Sequence, residues 1–307
     1  MTPKDVKKRG QYLLAFDGSE HARAAVSFLH DFIIQQGEKT KSSIVLLAVF
    51  TPRQIGDLTP LEQALDQTYM FFKEKGIRAR PELVLGYPGE KILEYTEKLN
   101  PKMIVVGAKG LRATLGILLG GVAQEVVESA PCPVMVIRAP YQVFQRILLV
   151  ADGSPYSRLA MDHFTKFHLA ATTRIDIMNV LPPIPIKPVP DFITHSWPAG
   201  PEVIPQFTPE LTEEESAFLR EEEKEGQKIL DEALSLFQKK GSKVQLSQIL
   251  VRGDTASEII QYAKENRVDL IVTGSQSLGA IRSMLLGSVT RKLVHYAHCS
   301  VLVVKQC

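Results

Sequence analysis

Residues 12–29, YLLAFDGSEHARAAVSFL, and residues 147–164, ILLVADGSPYSRLAMDHF, align without a gap and set Asp17 against Asp152. VLGYPGEKILEY, ending at Tyr95, matches VRGDTASEIIQY, ending at Tyr262, at a larger offset. That offset then stays constant, pairing Gly86 with Gly253, Gly107 with Gly274, Gly120 with Gly287 and Cys132 with Cys299. The chain is therefore an internal repeat, and each copy must adopt the same fold. Its 307 residues suffice for two domains of ordinary size. The boundaries expected are 9–140 and 141–307, with the extra residues of the second copy lying between Val180 and Gly241.

In the first copy YLLAF is an opening strand, and the helix after it starts around Ser19, with apolar residues at Ala24, Ala25, Phe28, Leu29 and Phe32. SSIVLLAVF is a continuous apolar run, as strands covered on both faces tend to be. Thr59-Pro60-Leu61-Glu62 predicts a helix start, with Thr59 as cap and Glu62 closing a capping box, and Gly76 predicts its end. PELVL, MIVVG and PVMVI follow as strands, separated by a helix that stops at Asn100-Pro101 and another ending near Ser129. Strands alternating with helices predict βαβ units and a parallel sheet, with ligand-facing loops at the carboxyl ends of the strands.

The insertion divides into a proline-rich loop, 182–209, and a long acidic helix at about 210–240. Acidic residues crowd the first half of the helix and Lys239-Lys240 close it, the polarity a helix dipole favours. Phe218, Ile229, Ala233 and Phe237 mark its apolar stripe, and Glu221 to Glu225 read as a solvated face.

Each copy carries a glycine loop between a strand and a helix. The first spaces Gly107, two residues, Gly110, nine residues, then Gly120-Gly121; the second spaces Gly274, Ser277 and Gly287-Ser288 alike. Glycines admit positive φ and close backbone approach, so that N–H groups converge on phosphate oxygens, and the helix start adds its dipole. Neither loop matches a Walker-type or GxGxxG fingerprint. Asp17 and Asp152, at strand ends, are placed either to accept from ribose hydroxyls or to cap the helices that follow. Lys109, Arg112, Arg282 and Arg291 read as solvated cations before phosphate partners.

A net charge of +2 gives no general pull toward nucleic acid or acidic membranes. No run is long enough to span a membrane, and MTPKDVKKRG lacks the apolar core of a signal peptide, so a cytoplasmic chain is expected. Cys132, Cys299 and Cys307 form no zinc-type spacing; the first two precede apolar strands and read as packing residues. No nucleophile–base pair is placed by the sequence, so no enzyme is expected, at most a weak and incidental hydrolysis of a bound ligand.

The quoted DGS turns, the repeated G-2x-G-9x-G-[S/T] spacing and the APCPVMVIR and AHCSVLVVK endings resemble the universal stress proteins, over nearly the whole chain and twice. The resemblance implies an α/β fold of two tandem doubly wound domains, each a five-stranded parallel sheet flanked by helices, Rossmann-like and similar to the adenine nucleotide alpha hydrolases. It implies a stress-response sensor or adaptor holding ATP, with or without Mg2+. Asp17 and Val49 would then face the nucleoside, and Gly107, Gly110, Gly120, Gly121 and Val122 the phosphates. In the second copy these become Asp152, Val180, Gly274, Ser277, Gly287, Ser288, Val289 and Thr290. Gly121 and Ala123 forgo hydroxyl donors that Ser288 and Thr290 keep, at about 1.5–3 kcal/mol each. Ser277 replaces a glycine at about 1–2 kcal/mol if φ is positive there. On that weighing the second copy is the better site. The alternative is a degenerate scaffold acting through protein or apolar-ligand contacts. The terminal strands PVMVI and VLVV are candidate contacts of an intramolecular pseudo-dimer, and a further homodimer is left open.

Overall fold

The computed structural model describes residues 11–51, 58–111, 119–184, 212–239, 244–276 and 286–305. The first copy runs β1 (Gln11–Phe16), α1 (Glu20–Gln35), β2 (Ser43–Phe50), α2 (Thr59–Glu74), β3 (Arg78–Leu85), α3 (Pro88–Leu99), β4 (Met103–Gly107), α4 (Gly121–Ser129) and β5 (Val134–Ile137). The second repeats it as β6 (Arg146–Val150), α5 (Pro155–Phe164), β7 (Arg174–Leu181), α6 (Glu213–Lys239), β8 (Gln245–Arg252), α7 (Thr255–Glu265), β9 (Leu270–Gly274), α8 (Ser288–Tyr296) and β10 (Ser300–Val304).

Within each copy the five strands are parallel, ordered β3-β2-β1-β4-β5 and β8-β7-β6-β9-β10. The order reverses between β1 and β4, and between β6 and β9, where a doubly wound sheet opens a crevice at its carboxyl edge. Alternate strand residues feed two cores. Leu14, Leu46 and Val105 pack with α1 and α2, while Leu13, Val45 and Ile104 pack with α3 and α4. Pro81 is tolerated in β3 because β3 is an edge strand of the sheet.

The terminal strands join the copies, as the pseudo-dimer reading expects. β5 and β10 pair antiparallel, Val136 against Val301 and Met135 against Leu302, making one ten-stranded sheet. The residues after these strands complete the join reciprocally. Arg138 donates from Nη2 to the carbonyls of Val294 (2.9 Å) and His295 (3.3 Å) and from Nε to that of Cys299 (3.2 Å). Lys305 Nζ donates to the carbonyls of Glu128 (3.1 Å) and Ala130 (2.8 Å). Each cation thus satisfies carbonyls at the helix C-terminus of the other copy, where the dipole favours positive charge. Phe32 and Phe167 add an edge-on ring contact at 4.9 Å across the copies.

Three sequence readings change. The cap position of α2 is Leu58, without a side-chain cap bond, because the helix begins one residue before Pro60 rather than after Thr59. The long helix is only partly an insertion. Its second half, through Leu230, Ala233 and Phe237, enters the same core face as Leu65 and Phe72 of α2. Phe218 falls outside the apolar stripe and is 64% exposed. Nearly all of the loop 182–209 lies outside the described residues, as do Arg112, Ser277, Arg282 and Cys307. Cys132 and Cys299 are buried and in no disulfide, in line with the packing reading.

Candidate functional site

Each copy has a crevice at the reversal of strand order, and the frame of both is the DGS turn. Gly18 and Gly153 take φ of 77° and 74°, a region closed to most side chains. The turn then delivers Ser19 and Ser154 as N-caps, their hydroxyls accepting from the N–H groups of Ala22 and Ser157, each at 3.1 Å. The serines therefore do the capping, not the aspartates. Asp17 Oδ1 accepts from Ser19 N–H (3.0 Å), and its Oδ2 reaches across to accept from Leu111 N–H in the glycine loop (3.1 Å). Ser19 Oγ donates to the Lys109 carbonyl (3.1 Å), so turn and loop are tied at two points.

The loop glycines serve close approach rather than φ; none of Gly107, Gly110, Gly120, Gly121 and Gly274 has positive φ. A Cβ on Gly107 would lie 2.8 Å from the His21 carbonyl carbon, and one on Gly274 2.6 Å from that of Tyr156. These two let the first helix of each copy press on the sheet. A Cβ on Gly110 would lie 2.6 Å from Asp17 Oδ2, so Gly110 leaves room for the aspartate itself.

The first crevice encloses about 290 Å³. Ala15, Leu47, Val49, Ile92, Val106 and Val122 make an apolar slot, closed by Pro88 at the start of α3. Asp17, Lys109, Gly107, Gly110, Gly120 and Gly121 line the same cavity. Gly120 caps α4 without any side-chain bond, leaving first-turn amides of the helix open to the crevice. Lys109 has no ion-pair partner among the described residues. An apolar slot that shares one cavity with open helix amides and the Lys109 ammonium suits a ligand with a flat apolar part and an anionic part.

The second crevice, about 410 Å³, brings together Asp152, Val180, Gly274, Val289 and Thr290 with Val150, Ala151, Asn179 and Gln276. Its hydroxyls are not free donors in the sense the sequence suggested. Thr290 is buried and donates to the Gly274 carbonyl at 2.8 Å, fixing α8 to the end of β9. Ser288 is exposed and does not line the crevice. Gly287 N–H is taken by the Ser275 carbonyl at 2.8 Å, as Gly120 N–H is by Ala108. Arg291 pairs with Glu128 of the first copy at 3.3 Å rather than facing a phosphate. The wall also holds Glu222 and Glu225 of α6, which the sequence reading had left on a solvated face, together with Gly226 and with Ile229 of the apolar stripe. No residue of α2 lines the first crevice. The missed signal was spacing: Glu222, Gly226 and Ile229 recur on one helix face, in register with the buried Ala233.

Among the described residues no cluster of histidine, cysteine or carboxylate side chains is disposed to hold a metal ion, and no helix is long and apolar enough to cross a membrane. A universal stress protein of Mycobacterium tuberculosis is 28% identical over 238 residues, 76% of this chain and 71% of its own. A universal stress protein of Bacillus subtilis is 32% identical over 164 residues, 53% of this chain and the whole of its own. The fold is shared along 98% of this chain with the crystal structure of a universal stress protein from Archaeoglobus fulgidus, all of which is covered, at a TM-score of 0.65 and 18% identity. The model of the universal stress protein family matches residues 10–138 and again 144–305. The chain thus belongs to the universal stress protein family, with its fold present twice in tandem.

Proposed function

We propose that this protein binds one adenine nucleotide, ATP with or without Mg2+, in its first crevice, and acts as a cytoplasmic stress-response sensor or adaptor rather than as an enzyme. The observation that carries this reading is the pairing, in one cavity of about 290 Å³, of an apolar slot with the uncapped start of α4 and with Lys109, which has no ion-pair partner among the described residues. The base lies in the slot beside Val49, the ribose hydroxyls meet Asp17, and the phosphates meet Gly110, Gly120, Gly121 and Lys109. Asp17 already accepts two backbone N–H bonds, and a carboxylate has lone pairs left for the ribose.

The order of the two copies is the reverse of that expected from loop residues alone. The hydroxyl advantage of the second copy is reduced by the Thr290 bond, and three carboxylates stand where the first crevice has one. Like charge at close range disfavours a polyphosphate there. Freshly purified protein denatured in acid should release an adenine nucleotide, or an apo preparation should take up ATP to one equivalent per chain. Absence of both would overturn the reading in favour of a scaffold that works through its surfaces.

A further inference from the structure

The β5–β10 join occupies one terminal strand of each copy, so the ten-stranded sheet ends at β3 on one side and at β8 on the other. Gln245 N–H donates to the Thr173 carbonyl and Gly253 N–H to that of Leu181, each at 3.0 Å, at the two ends of the ladder between β8 and β7. Alternate residues of a parallel strand bond to one neighbour, so the N–H and C=O groups of Leu246, Gln248, Leu250 and Arg252 point out of the sheet. Among the described residues nothing bonds to these main-chain groups. The two edges are equivalent in the repeat but built differently. At the offset of the glycines, Arg78, Arg80, Pro81 and Glu82 of β3 become Gln245, Ser247, Gln248 and Ile249 of β8. Pro81 removes an outward N–H from the middle of β3, and the charges beside it resist a further strand. β8 has neither protection. Its one charged residue is Arg252, at its end and paired with Glu222 at 2.6 Å. Leu246 and Leu250 pack half-buried on the α6 side and Ile249 and Val251 on the α7 side, so both cores run out to this edge. Gln248 Nε2 donates to Asp231 of α6 at 2.9 Å, which holds the side chain over the α6 face of the sheet.

We propose that β8 is the interaction surface for another molecule of this chain, joined β8 to β8 in antiparallel as β5 joins β10 within the chain. A pairing centred on Gln248 sets Leu246 against Leu250 of the other molecule and Gln248 against its own equivalent. Apolar then meets apolar, and no charge faces a like charge. The strand is complementary to itself, as a two-fold interface requires. The same pairing at β3 would set Pro81 on Pro81, with no N–H at its centre. Joined at β8, the sheet continues through both molecules and the two cores are completed at the edge. The proposal is independent of nucleotide binding in the first crevice.

The test is sedimentation velocity of the full chain, which should show a dimer that dissociates on dilution. Gln248→Pro, which installs the first copy's residue, removes the central outward N–H from each strand and should raise the dissociation constant at least about tenfold. Amide hydrogen exchange of the unsubstituted chain reads the same edge and decides the matter alone if Gln248→Pro fails to fold. A peptide spanning β8 should gain protection as concentration rises through the dimer transition, and one spanning β3 should not. A chain that stays monomeric up to about 100 μM would overturn the proposal. So would a dimer that folded Gln248→Pro does not weaken, or gained protection at β3 instead. Protection at β8 that is independent of concentration would overturn it as well, since the chain itself would then cover the edge.

Discussion

In the first copy the helix after β2 begins at Thr59 and stays clear of the crevice; in the second, α6 begins at Glu213 and lays Glu222, Glu225, Gly226 and Ile229 along it. Everything beneath is shared: the strand order, the DGS turn with its positive-φ glycine, the capping serine and the uncapped helix start. Two crevices with one frame thus differ in charge both within the glycine loop, where Lys109 of the first copy is matched by Gln276 of the second, and through α6, which is not part of that loop. In a duplicated fold, the ligand is chosen as much by what is added over the crevice as by the motif inside it.

The largest expected effect separates the crevices directly. Gly121 faces open space, with nothing within 4 Å of an added Cβ, and it lines the first crevice. Gly121→Leu should leave thermal unfolding unchanged and reduce ATP affinity about 100-fold, close to 3 kcal/mol. Ser288→Leu, at the equivalent position, should change ATP affinity little. An equal loss in both variants would mean that both crevices hold nucleotide.

A second pair of variants sharpens what the crevices share. Gly107→Ala and Gly274→Ala each drive a Cβ into backbone of the first helix of their copy. Each should cost about 1–3 kcal/mol of stability, measured by denaturant unfolding, and by similar amounts in the two copies. A loss of ATP affinity without a loss of stability at Gly107 would make that glycine a ligand contact instead of a packing device.

The fold was legible because its signals are local and repeated. Apolar runs, helix stops such as Asn100 at φ 45° and the constant offset of the glycines fix strands, helices and tandem order together. The β5–β10 join was legible through the family resemblance, which marks the two apolar terminal strands as contacts between the copies. The glycine loop was legible as a pattern but not in its physics. Positive φ belongs to Gly18 and Gly153, while Gly107 and Gly274 answer to a helix distant in sequence, which no local reading sees. The acidic run of α6 is solvated at Glu221, Glu223 and Glu225 as read, and the exception is Glu222, half-buried because the packing of Leu230 and Phe237 turns its face of the helix inward. Arg138 and Lys305 stood in the quoted strand endings, yet their targets are carbonyls of the opposite copy.

The smallest effect concerns that join. Burial pushes the Lys305 ammonium down to about 8 from the usual 10.5. Between those values the unfolded chain holds the proton more firmly than the folded one, so stability from this group rises as pH climbs from 8 to 10.5. Below pH 8 both states are charged and the burial penalty is felt in full. Lys305→Met should flatten this part of the stability profile, and an unchanged slope would show that the ammonium is not desolvated at the α4 terminus.

The central claim, that one tandem chain keeps a single nucleotide site and keeps it in the first copy, is tested most directly by titration calorimetry of the full chain with ATP, with stoichiometry per chain. We expect one site, lost in Gly121→Leu and retained in Ser288→Leu. Two sites per chain, or one site lost only in Ser288→Leu, would contradict it.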